Sequence, residues 1–205
     1  MDRKLKKWEL SLLFGIIFAM VMGCWLRSEQ QELRERVVRL HVIANSDTPR
    51  DQAIKLAVRD RILAKAEVLY GADATRAQAL EILARSLPEL EREGRLAAAE
   101  WGCDDTVSAR VEECWFPTKE YGDFALPAGE YTALRVVIGE GEGQNWWCVA
   151  FPPLCLGAAS ETVEQAVETG AFTQEQGALM TEESGGYALK FKALELLGYL
   201  LEMLG

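Results

Sequence analysis

The chain has 205 residues, 26% of them charged, and its 32 acidic side chains against 22 basic ones leave a formal net charge of -10. That balance excludes a nucleic-acid partner, because phosphate backbones repel an acidic surface. The single histidine, His41, excludes a histidine-based zinc cluster, and any Cys-His or Ser-His pair must use that one ring.

Residues 1–27 read as a targeting segment. Arg3, Lys4, Lys6 and Lys7 form a positive region ahead of Leu10 to Leu26, an uncharged and mainly apolar run of 17 residues. As a helix at ~1.5 Å per residue it would span about 26 Å, slightly short for a bilayer core of roughly 30 Å and long for a simple signal. A signal peptide and a membrane anchor both stay open. Val21 and Gly23 have the spacing of a cleavage site, and Val21 to Cys24 is a loose lipobox-like string. The run has no polar face, which argues against a buried core helix. Beyond it the chain holds 17 basic and 30 acidic residues, enough length for one core and no affinity for phosphate.

Ser28 to Arg36 is a charged helical lead-in. Val37 to Asn45 then alternates as a strand, with Val38, Leu40, Val42 and Ala44 on one face and Val37, Arg39, His41, Ile43 and Asn45 on the other. Asp47 or Thr48 caps a helix that has Pro49 in its first turn and Asp51 placed for a capping box. That helix carries Ile54, Ala57, Val58, Ile62 and Val68 and ends near Gly71. A second helical pattern starts near Thr75, and Pro88 predicts a break, with Ser86 and Glu89 as a new capping box.

Val107 to Phe116 begins as a clean alternation whose phase shifts across Glu112 and Glu113, which predicts a β-bulge. The loop Phe116 to Gly122 follows, FPTKEYG, and Leu126 to Gly129 turns the chain again. Tyr131 to Ile138 and Asn145 to Phe151 are rich in β-branched and aromatic residues and are joined by the glycine-rich Gly139 to Gln144, which reads as a hairpin. Glu140 and Glu142 argue against a phosphate loop there. Trp146 and Trp147 must point to opposite faces of the strand.

These elements predict an α+β fold, a two-layer sandwich of a four-stranded, mostly antiparallel sheet with helices on one face, occupying residues 28–156. Residues 157–186 hold six glutamates and no basic residue and read as an acidic linker or insertion. Residues 187–205 return to an amphipathic helix with Phe191, Leu194, Leu197, Leu201 and Leu204 in a stripe. Outside the targeting segment Cys103, Cys114, Cys148 and Cys155 form an even set with three possible connectivities.

RLHVIANSD at Arg39 to Asp47, FPTKEYG at Phe116 to Gly122 and YTALRVVIGEGEGQNWWCVAFPPLC at Tyr131 to Cys155 together resemble stage II sporulation protein R of endospore-forming bacteria. The resemblance covers about Arg36 to Cys155. It implies a signal rather than an enzyme: exported from the forespore to the intermembrane space, possibly anchored through the N-terminal segment, and switching on a membrane-embedded aspartyl peptidase that processes the sigma-E precursor. It also favours a disulfide between Cys148 and Cys155, which belong to the shared motif and flank Pro152-Pro153.

No G-x-S-x-G, H-E-x-x-H or aspartyl-peptidase string is present, and no cofactor, metal or catalytic residue is expected. The candidate partner surface consists of Arg39, His41 and Asn45 on the first strand, Lys119 and Tyr121 facing outward from the FPTKEYG loop, and whichever of Trp146 and Trp147 points out. The alternative is a cysteine-dependent hydrolase using Cys148 or Cys155 with His41. A structural protein of the intermembrane space is a third reading.

Overall fold

A computed structural model describes residues 7–71, 73–121, 124–155 and 163–181. The apolar run and the charged lead-in form one helix, α1 (Lys7–Arg34), along which Leu12, Phe14, Phe18 and Met20 are exposed. Among the described residues no helix is long and apolar enough to cross a membrane, so of the two readings of residues 1–27, signal peptide or membrane anchor, the structure does not show the anchor. The amphipathic helix expected at residues 187–205 lies outside the described residues.

The first strand, β1 (Val38–Ile43), leads into α2 (Pro49–Tyr70). Thr48 caps α2 by accepting the Asp51 amide at 3.2 Å, Pro49 occupies the first turn, and Gly71 ends the helix at φ 71°. A full capping box between Thr75 and Gln78 starts α3 (Arg76–Arg85). Pro88 falls in the first turn of α4 (Leu87–Ala99), so the break forms as the sequence requires, although the Ser86 side chain makes no capping bond. Gly94 of α4 lets that helix approach the sheet, since a Cβ there would lie 2.8 Å from Val107.

Four further strands are β2 (Val107–Phe116), the short β3 (Lys119–Tyr121) and β4 (Phe124–Leu126), and β5 (Gly129–Ile138). With β6 (Asn145–Phe151), the four long strands make one sheet in the order β2-β5-β1-β6. β5 pairs antiparallel to β2 and parallel to β1, and β1 pairs antiparallel to β6, so the sheet is mixed rather than purely antiparallel. The expected hairpin is corrected here: β1, buried on both faces over most of its length, inserts between β5 and β6. The glycine-rich link instead crosses the end of β1. Gly143 and Glu142 donate backbone bonds to Ala44 and Asn45, at 2.9 and 3.2 Å, and Asn45 and Asp47 accept from Glu140 and Gln144. A side chain at Gly143 would collide with the Ser46 carbonyl, and one at Gly139, φ 56°, with the Asn45 side chain.

The register of β2 against β5 runs without interruption from Val107↔Ile138 to Phe116↔Gly129, so the expected bulge is absent. The apolar phase changes because each end of the strand is covered from a different side. Val107 and Ala109 lie under the helices, whereas Phe116 lies on the opposite face beneath β3 and β4. α2 and α4 bury Ile54, Val58, Ile62 and Leu90 against Val38, Leu40, Val42, Leu134 and Val136. The acidic region expected as a linker contains α5 (Val163–Glu168) and α6 (Gln174–Thr181), which bury Val163, Ala166, Phe172 and Met180.

Candidate partner-binding face

Alternation along β1 sends Leu40 and Val42 to the helices and Arg39 and His41 to the other side of the sheet. Among the described residues no helix covers the middle of that second side. The β3–β4 ribbon covers one end and the glycine link the other, where a Cβ on Gly141 would meet Val137 and Ile43.

Arg39 is expected at the surface, yet it is fully buried beneath the ribbon. Its guanidinium lies 4.3 Å from the Phe116 ring centre, 4.9 Å from that of Tyr131 and 5.6 Å from that of Tyr121. It donates from Nε to the Cys148 carbonyl at 2.9 Å and from Nη2 to the Tyr121 hydroxyl, while Nη1 has no partner among the described residues. Tyr121 also corrects an expectation: it is 6% exposed and faces inward, stacked on Phe124. Burial pushes its phenol pKa up against the opposing pull of Arg39, and burial pushes Tyr131 up to about 12. Arg39 and Tyr121 thus join the ribbon to the sheet and present no surface.

Two tryptophans take opposite faces. Trp146 points to the helices, with the Arg59 guanidinium 4.3 Å from its ring centre. Trp147 is the one on the uncovered face, half-buried, with Lys119 Nζ 4.5 Å above its ring and the His41 ring 5.8 Å away. His41 Nε2 is 2.7 Å from Asn145 Oδ1. Burial pulls the histidine pKa below its ordinary value; the Asn145 bond opposes this and Arg135 assists it. Asn45, half-buried, latches the crossing link and Asp51, so it lies apart from the Trp147 cluster. The expected patch therefore contracts to His41, Lys119 and Trp147.

Cys148 and Cys155 are joined by a disulfide with a Cα–Cα distance of 5.4 Å. The hydrolase alternative needs a free thiolate beside His41, but Cys148 pairs with Leu40 and so lies on the helix side of the sheet, opposite His41. Cys103 and Cys114 are free and half-buried. Burial, aided by Glu112, pushes the Cys114 thiol up to about 11. At pH 8 only about one Cys114 in a thousand would then be thiolate, so iodoacetamide should modify it on the order of a hundredfold more slowly than an unperturbed cysteine. A rate within threefold of glutathione would contradict that environment.

Stage II sporulation protein R (spore_II_R) is the family whose sequence model matches residues 34–161, a span that holds the whole sheet and the disulfide. The chain belongs to the stage II sporulation protein R family. It is 34% identical over 132 residues to stage II sporulation protein R of Bacillus subtilis (strain 168), a match covering 63% of this chain and 59% of that relative. The chain thus spans about six-tenths of the relative's length. No solved structure matches it. The family span contains Trp147, Lys119 and His41 as well as the Arg39 cluster, so the face and its support belong to one module.

Proposed function

We propose that this chain is an exported sporulation signal that binds the outer part of a membrane-embedded aspartyl peptidase and switches on its processing of the sigma-E precursor. Membership of the stage II sporulation protein R family supports the reading, as does a disulfide suited to an oxidising space outside the cytoplasm. The carrying observation is Trp147, a large aromatic half-buried on an uncovered sheet face with Lys119 over its ring. Aromatic side chains beside a single charge on a rigid frame dominate protein–protein binding energy. In this reading residues 28–156 form the signalling domain, and residues 1–27 deliver it across the membrane.

The test is co-expression of the chain, exported or retained in the cytoplasm, with the peptidase and sigma precursor in a host lacking sporulation genes. Only the exported form should give processing. Trp147→Ala with Lys119→Ala should raise the dose for half-maximal processing ~30-fold, as loss of an anchor worth about 2 kcal/mol implies, with an unchanged circular dichroism spectrum. His41→Gln should remain active at raised dose. A wild-type dose response from the double variant would remove this face from the interaction, and processing by the retained form would remove the export requirement.

A further inference from the structure

Besides Trp147, the uncovered face carries two arginines that the candidate partner surface leaves aside, Arg110 and Arg135. In the β2–β5 register Arg110 stands directly opposite Arg135, in the β1–β5 register Arg135 stands beside His41, and in the β1–β6 register His41 stands beside Trp147. Arg110, Arg135, His41 and Trp147 therefore form one straight row across all four strands, and Lys119 closes its far end over the Trp147 ring. Like charges directly opposite on antiparallel strands oppose pairing. The chain has acid to spare, with 32 carboxylate side chains against 22 bases, and Glu112 bonds Arg135 Nη1 at 3.0 Å. Arg110 is exposed and makes no ion pair among the described residues, and Arg135 Nε has no hydrogen-bond partner.

We infer that the row Arg110–Arg135–His41–Trp147 is a seat for an acidic segment of a partner protein, with the two arginines taking carboxylates and Trp147 taking an apolar side chain. The inference rests on the reading of this face as the partner surface and gives that partner its chemistry. Arginine forks match carboxylates in two-point geometry, which suits a pair held side by side with Glu112 bonded to one of them and no acid paired to the other among the described residues. Strands lie ~4.8 Å apart, so the row from Arg110 to Trp147 is about 14 Å long. An extended segment rising about 3.3 Å per residue covers that length in roughly five residues, with alternate side chains turned to the sheet. The pattern is acidic, any, acidic, any, apolar. The ribbon and the glycine link flank the row on its two sides, over the Arg39 and Ile43 ends of β1, and Arg135 and Trp147 are half-buried between them, so a narrow chain reaches them and a flat bilayer surface does not.

A fluorescein-labelled peptide, Ser-Glu-Ser-Glu-Ser-Phe-Ser with blocked ends, and its counterpart with lysine for glutamate, would be titrated with the full chain by anisotropy at low and at physiological salt. The acidic peptide should bind at least tenfold more tightly. Arg110→Glu with Arg135→Glu should reverse the preference, and Arg110→Gln alone, at an exposed edge position, should weaken the acidic peptide several-fold if the double variant does not fold. Equal binding of the two peptides, or no response to either variant, overturns the inference. So does arginine-dependent binding to phosphatidylglycerol vesicles that the acidic peptide cannot displace, because the seat would then take a lipid headgroup. In the sigma-processing assay, normal activation by the arginine variants alongside impaired activation by Trp147→Ala would sink the acidic seat and leave the signalling face standing. Normal activation by both would sink the face itself.

Discussion

Replacing Arg39 by alanine should cost about 3–5 kcal/mol of folding stability, the range seen when a large buried side chain is cut back and its partners are left unpaired. Truncation removes packing against Phe116, Tyr121 and Tyr131 and strips the Cys148 carbonyl and the Tyr121 hydroxyl of a donor. Arg39→Lys keeps the charge but loses the flat guanidinium that lies on the rings, and should cost about half as much. Arg39→Met separates packing from charge. It restores volume without a cation, and because no carboxylate among the described residues pairs with Arg39, it should be milder than alanine. Urea unfolding of the three variants, compared at constant slope, decides the matter. An alanine variant within 1 kcal/mol of wild type would mean that the ribbon does not depend on Arg39. A methionine variant more stable than wild type would mean that the arginine is kept at a cost, for a purpose other than stability.

Arg39 also shows where the sequence stops being legible. Its alternation with Val38 and Leu40 assigns it to the face opposite the helices, and the structure has it there. What buries it is a pair of three-residue strands, Lys119–Tyr121 and Phe124–Leu126, too short to display a period and packed on the sheet from a distant part of the chain. The outward reading of Tyr121 fails for the same reason. Strand order was equally hidden. A glycine-rich link has the same turn chemistry whether it closes a hairpin or steps across the end of a third strand, and only the bonds from Gly143 and Glu142 to Ala44 and Asn45 distinguish the two. The division of Trp146 from Trp147 is fixed by adjacency alone. Which of them is uncovered depends on the layer containing Arg59, a long-range fact. The two short helices after residue 162 are masked by acidic composition, since Val163, Ala166, Phe172 and Met180 have no regular spacing.

Removing the Cys148–Cys155 bond should lower stability by about 2–3 kcal/mol, because joining residues separated by 7 positions takes conformational freedom from the unfolded chain. For a domain of this size that corresponds to a fall of roughly 5–10 °C in Tm. Both sulfurs are buried, so substitution by alanine also loses some packing, and the two effects must be separated. Cys148→Ala with Cys155→Ala should unfold at a temperature at or slightly below that of reduced wild type, and dithiothreitol should shift wild type while leaving the double variant unchanged. Alkylation without reductant, read by mass spectrometry of the exported protein, should leave both residues unmodified. The consequence reaches the uncovered face, since Cys148 follows Trp147 on β6 and its carbonyl receives the Arg39 bond. A chain retained in the reducing cytoplasm should therefore hold the end of β6 less firmly. If the double variant is as stable as oxidised wild type and activates at the same dose when exported, the bond contributes neither to the fold nor to the presentation of Trp147.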